Sequence, residues 1–114
     1  MIFQHTLEQV LSGKKTQTRR RINPGRRFLY RPGKSYSVQP SRTQAGVARI
    51  EVVNIRQEPL GEMTHEDALA EGFASVDEYR MLWLEQYGTF DPEELVWVIE
   101  FKLLPEEASN TDFL

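Results

Sequence analysis

Gly13-Lys14-Lys15-Thr16-Gln17-Thr18-Arg19-Arg20-Arg21 separates a helix from a strand. Before it, Leu7, Val10 and Leu11 share one helical face, and Thr6-Leu7-Glu8-Gln9 has the pattern of a capping box, with Gln9 placed to reach back to the Thr6 amide. Gly13 falls where a helix ends in a left-handed residue, a conformation cheap for glycine. From about Thr16 the chain reads as extended. Alternation then sends Lys15, Gln17 and Arg19 to one face and Thr16, Thr18 and Arg20 to the other. Lysine and threonine beside a glycine invite a phosphate-loop reading. However, the earlier glycine of that motif is Glu8 here, and Gly13 ends a helix where the motif would start one, so a nucleotide-hydrolysing loop is excluded. By its residues alone the run is a basic patch carrying hydroxyls.

The charge around this run is strongly segregated. Between Gln9 and Ile50 stand Lys14, Lys15, Arg19, Arg20, Arg21, Arg26, Arg27, Arg31, Lys34, Arg42 and Arg49, eleven of the chain's 14 basic residues, with no acid among them. From Glu51 onward 3 basic residues face 16 acidic ones, so the net charge of −3 conceals two opposed halves. Such polarity prepares one surface to attract phosphates. The competing use of the same arginines is internal pairing with the acidic half. Acids spread over two helices and a tail leave part of the basic cluster unneutralised.

A chain of 114 residues makes one domain with one core, and 39% hydrophobic residues with twelve aromatics place it among globular proteins. The absence of cysteine removes disulfides, thiol catalysis and cysteine-based zinc sites, and two distant histidines leave no metal site to expect. No cofactor is expected either. No apolar run approaches the ~20 residues of a membrane span. Met1-Ile2-Phe3-Gln4-His5 lacks the regions of a signal peptide, so a cytoplasmic location is expected.

Two more helices announce themselves by their caps. Thr64-His65-Glu66-Asp67 opens one that carries Ala68, Leu69 and Ala70 and stops at Gly72. Ser75-Val76-Asp77-Glu78 opens a longer one, with Val76, Tyr79, Leu82, Trp83 and Tyr87 at helical spacing, ended by Gly88. Strands are expected over Ser35–Gln39, limited by Pro40, and over Val47–Ile55, where the alternation slips near Val52-Val53 and a bulge is expected. The last strand, Leu95–Leu103, puts Leu95, Trp97, Ile99, Phe101 and Leu103 on one face and Val96, Val98, Glu100 and Lys102 on the other. Both faces are apolar at its start, as in a central strand. Ile22-Asn23-Pro24-Gly25 and Arg31-Pro32-Gly33-Lys34 read as turns. Residues 105–114 read as an acidic, frayed tail. The expected fold is α+β, a small mixed β-barrel with flanking short helices.

Gly13-Lys14-Lys15-Thr16-Gln17-Thr18-Arg19-Arg20 followed by Pro32-Gly33-Lys34-Ser35-Tyr36 resembles the signature of the ASCH domain family, relatives of the PUA domains. Ala68-Leu69-Ala70-Glu71-Gly72-Phe73, Trp83 and Val96-Trp97-Val98-Ile99-Glu100-Phe101 agree with it, so the resemblance covers residues 1–104. It implies a PUA-like β-barrel and a partner that is RNA or its nucleosides. Some small bacterial members are amidohydrolases that deacetylate N4-acetylcytidine using a lysine, a threonine and a glutamate. On this sequence those positions fall on Lys15, Thr18 and Glu71.

The implied chemistry is coherent. A threonine hydroxyl is a poor nucleophile until a neighbouring group takes its proton, and either Lys15 or Glu71 can serve. A desolvated Lys15 could instead stabilise the oxyanion, and Arg20 could orient Glu71 or bind substrate. The same residues have plainer uses: Lys15 as a phosphate contact, Thr18 as an ordinary strand residue, and Glu71 as an ion-pair partner of Arg20 or Lys15. Trp83, Trp97, Tyr79 and Phe101 fit core positions, whereas Phe28, Tyr30 and Tyr36, inside the basic stretch, are candidates for stacking on bases. The arginine-rich segment Arg21–Arg31 departs from the compact amidohydrolases and is expected to enlarge or cover the barrel mouth. The leading expectation is therefore a module binding RNA or modified nucleosides through Arg19, Arg20, Arg21, Arg26, Arg27, Arg42 and Tyr30 around the Lys15, Thr18 and Glu71 cleft. An N4-acetylcytidine amidohydrolase is the second and a ribonuclease the third.

Overall fold

The computed structural model describes residues 1–105; the tail expected beyond Pro105 lies outside the described residues. Helix α1 spans Leu7–Leu11, β1 Gln17–Arg21, β2 Ser35–Val38, β3 Ala48–Pro59, α2 His65–Ala70, α3 Val76–Tyr87 and β4 Leu95–Leu103, with a 3-10 turn at Leu60–Glu62 after β3. The strands form one antiparallel sheet in the order β1-β4-β3-β2. β4 is central, as its two apolar faces require. Ile99 and Phe101 enter a core with Met1, Phe3, Val10, Val38, Ile50 and Val52. Val96 and Val98 enter a second core with Leu60, Met63, Ala68, Tyr79 and Trp83 from the helical side.

The sheet is not closed, and its hydrogen-bonded pairs are antiparallel, so the expected mixed barrel is replaced by an open sheet with β1 and β2 at its ends. The N-terminal residues span the gap only in part. Phe3 and Met1 exchange backbone bonds with Gln39 at 3.0 and 2.9 Å in an isolated parallel bridge, while towards β1 the contact is a side chain, Arg20 Nη2 donating to the Ile2 carbonyl at 2.9 Å. So short a segment satisfies one edge and leaves the other to an arginine.

Local signals are otherwise obeyed closely. The β3 ladder slips between Val52 and Asn54 at the expected bulge. β3 continues four residues beyond the expected Ile55, because β4 begins early enough to pair Pro59 with Leu95. Thr64 and Asp67 complete their capping box, and Ser75 caps α3 by accepting from the Glu78 amide. Thr6 makes no side-chain cap bond. Its backbone (φ −127°, ψ 23°) is turned away from the extended geometry that an N-cap hydroxyl needs. The segment between β1 and β2 lies over the sheet: Phe28 stacks on Trp97 at 4.0 Å and Tyr30 meets Tyr36 edge-on at 4.9 Å.

Candidate active site

The end of α2 is tied to the start of β1 by a backbone bond from the Thr16 amide to the Ala70 carbonyl, 2.8 Å long. Glu71 is the C-cap of α2, and Gly72 follows it with φ +95°. A Cβ at Gly72 would also stand 3.1 Å from the Gln9 Cβ, so both backbone conformation and space call for glycine there. This join turns Glu71 back under β1. There Lys15 Nζ donates to Glu71 Oε1 at 2.9 Å and to its main-chain carbonyl at 2.7 Å. Lys15 is 4% exposed and Glu71 1%.

Behind this pair stands a network that the basic run alone does not reveal. Arg19, with its side chain fully buried, donates to Glu71 Oε2 at 3.2 Å, to Glu58 and to Gln17, and lies 3.5 Å from Asp67. Gln17 in turn donates to Asp67 Oδ1 at 3.2 Å. Arg56 joins Glu58 at 3.2 Å and Glu100 at 3.0 Å. Lys15, Gln17 and Arg19 thus do share the face that strand alternation assigns them, and it is the face towards α2.

Burial pushes the Lys15 amine below the usual lysine range. Glu71 partly offsets this, and the charges of Arg20 and Arg19 add to the lowering. Burial raises the Asp67 carboxyl, but bonds from Thr64 and Gln17 and the charge of Arg19 outweigh it and hold that group low. The Tyr79 phenol is pushed well above its usual range, first by burial and then by Glu71, and stays a hydroxyl at neutral pH.

A cleft of about 420 Å³ opens onto this arrangement. Lys15, Thr18, Arg19, Arg20 and Glu71 line it from β1 and α2, residues 2–6 form one side, and Tyr79, Leu82, Trp83 and Tyr87 of α3 form another. The Thr18 hydroxyl has no hydrogen-bond partner among the described residues. Lys15, Thr18 and Glu71 therefore line one cleft, with the Lys15 amine touching the Glu71 carboxylate. Such a set can support acyl transfer from threonine.

The basic residues expected to bind a ligand divide. Arg20 and Arg42 line the cleft, Arg42 from the β2–β3 loop. Arg20 meets the Ile2 carbonyl and the Phe3 ring, 5.2 Å away, and it is Arg19 that grips Glu71. Arg19 is turned inward among acids. Arg21 pairs with Glu94 at 2.8 Å and lies over Tyr87. Arg26 and Arg27 are exposed on the β1–β2 connection, and Tyr30 packs beside Phe28 and Tyr36. None of these three lines the cleft, so the arginine-rich segment lies over the sheet and does not cover the opening. Tyr79 and Trp83, expected only as core, serve both the second core and the cleft wall.

An ASCH domain family model matches residues 2–105, nearly the whole described chain. The chain belongs to the ASCH domain family. The solved ASCH domain from Lactobacillus crispatus JV V101 is similar to it in structure, with a TM-score of 0.69 and 15% sequence identity over 84% of this chain and 68% of that one. A protein from Enterococcus faecalis V583 is similar with a TM-score of 0.69 and 21% identity over 92% and 70% of the two chains. At these identities the likeness is one of fold. No curated protein matches the chain in sequence.

Proposed function

We propose that this ASCH domain is an amidohydrolase that removes the acyl group from N4-acetylcytidine or a related acylated base. The observation that carries the reading is the buried Lys15–Glu71 contact of 2.9 Å on the wall of the cleft that Thr18 also lines. Thr18 Oγ1 attacks the acyl carbon and gives its proton to the neutral Lys15 amine. Collapse of the tetrahedral intermediate breaks the carbon–nitrogen bond, and Lys15 returns the proton to the departing exocyclic nitrogen. Water then attacks the Thr18 ester, again through Lys15, releasing acetate and the free hydroxyl. Glu71, clamped by Arg19 on its far oxygen, holds the amine in place throughout.

The test is turnover of N4-acetylcytidine to cytidine and acetate, followed by chromatography. Thr18→Val is the informative variant: the shape is nearly kept and no protein hydrogen bond among the described residues is lost, so the fold survives. It should lose at least about a thousandfold in kcat, as removal of a nucleophile does. Wild-type turnover that Thr18→Val retains would remove threonine from the mechanism, and no turnover by the wild type would end the hydrolase reading.

A second reading, RNA binding, is favoured by a separate observation. Of the eleven cations before Ile50, Lys14, Arg20, Arg26, Arg27, Arg31, Lys34, Arg42 and Arg49 have no acidic partner within 4.0 Å among the described residues. That surface suits phosphates whether or not the cleft performs chemistry.

A further inference from the structure

Glu71 is the one carboxylate lining the cleft among the described residues, and both its oxygens are taken, Oε1 by Lys15 at 2.9 Å and Oε2 by Arg19 at 3.2 Å. Two further arginines line the same cleft and meet no carboxylate among those residues. Arg20 uses Nη2 on the Ile2 carbonyl, and the exposed Arg42 makes no side-chain hydrogen bond. Leu82, Trp83 and Tyr87 of α3 give the same cleft a largely apolar wall. A neutral nucleoside would use that wall and the Lys15, Thr18 and Glu71 group, yet leave two guanidinium charges without an anion. Low-dielectric walls strengthen the pull of such charges on an anion.

We propose that the ligand of this cleft is a nucleoside monophosphate, with its base at Lys15, Thr18 and Glu71 and its phosphate received by Arg42 and Arg20. The inference rests on the reading of the cleft as a cytidine site. A guanidinium fork matches phosphate oxygens geometrically, and Arg42 has its full set of donors to give. The volume of about 420 Å³ lies low in the range of small-ligand sites and suits one nucleotide better than a strand.

Calorimetric titration of the full chain with cytidine and with cytidine monophosphate tests this. The monophosphate should bind at least about tenfold more tightly, the worth of one or two charge-assisted bonds. Arg42→Ala should collapse that ratio. Lys34→Ala, which removes an exposed charge away from the cleft, should preserve it. Equal affinities, no detectable binding of either compound, or the same loss in Lys34→Ala would each overturn the proposal. So would a cytidine tetranucleotide that binds much more tightly than the monophosphate, since the phosphate site would then belong to a strand. Turnover of the two N4-acetyl compounds separates the inference from the reading beneath it. Equal kcat/KM for both removes the phosphate site and keeps the hydrolase. Preferential binding of the monophosphate without turnover of either keeps the site and removes the hydrolase.

Discussion

An amine enclosed as Lys15 is must be held by something, and it is held twice by one residue, through the Glu71 carboxylate and the Glu71 carbonyl. Burial and the two arginines lower its proton affinity, and Glu71 restores part of it. The sign of the pH dependence follows. Lys15 acts as a base only when neutral, so kcat/KM for deacylation should fall as pH falls through the Lys15 pKa and level off above it. The midpoint of this acidic limb should lie below the ~10.4 of a free lysine. A pH–rate profile that is flat, or that falls as pH rises across that range, would assign the base elsewhere. The family motif pointed to Lys15, Thr18 and Glu71, which line one cleft, and alternation placed Lys15, Gln17 and Arg19 together. The role of Arg19 was not legible. An arginine inside a basic run reads as surface until its carboxylates are known, and two of them, Glu58 and Glu71, stand 39 and 52 residues away along the chain.

At the level of elements, α2 carries more of the site than its six residues suggest. Its third residue, Asp67, closes the capping box with the N-cap Thr64 and also receives Gln17 and faces Arg19, while its C-cap is Glu71. A helix this short has little stability of its own, so its cap and its contacts with β1 decide whether it forms. Thr64→Ala should lower stability by about 1 kcal/mol, read by urea denaturation, with a loss of activity no larger than the unfolded fraction explains. A loss of activity in fully folded protein would mean that the cap also sets the position of Glu71. Both Thr6 and Thr64 carry a box pattern in sequence, but only Thr64 has the extended backbone (φ −91°, ψ 171°) that aims its oxygen at the third amide. A pattern of side chains does not specify the entry angle of the chain, and that angle decided the difference.

Over the whole molecule, the charge segregation seen along the chain becomes partly internal. Lys15, Arg19 and Arg21 are neutralised by Glu71, Glu58, Asp67 and Glu94, which bind the basic half of the sequence to the acidic half across the sheet and helices. Long-range pairing of this kind is invisible to a count of charges. For the same reason the two apolar faces of β4 foretold a central strand but not whether the sheet would close. Arg26 and Arg27 stay on the surface, and their use is open to a direct physical measurement. If they hold RNA, binding of a single strand should weaken linearly in log K against log salt, with a slope of about −0.7 for each phosphate contacted. The Arg26→Ala, Arg27→Ala double variant should make that slope shallower by about 0.7 for each contact it removes, while turnover of a free acylated nucleoside in the separate cleft stays unchanged. A slope unaltered by the double variant would show that Arg26 and Arg27 do not touch the strand. Binding would then rest on the cleft with Arg20 and Arg42, or on the other exposed cations, Lys14, Arg31, Lys34 and Arg49.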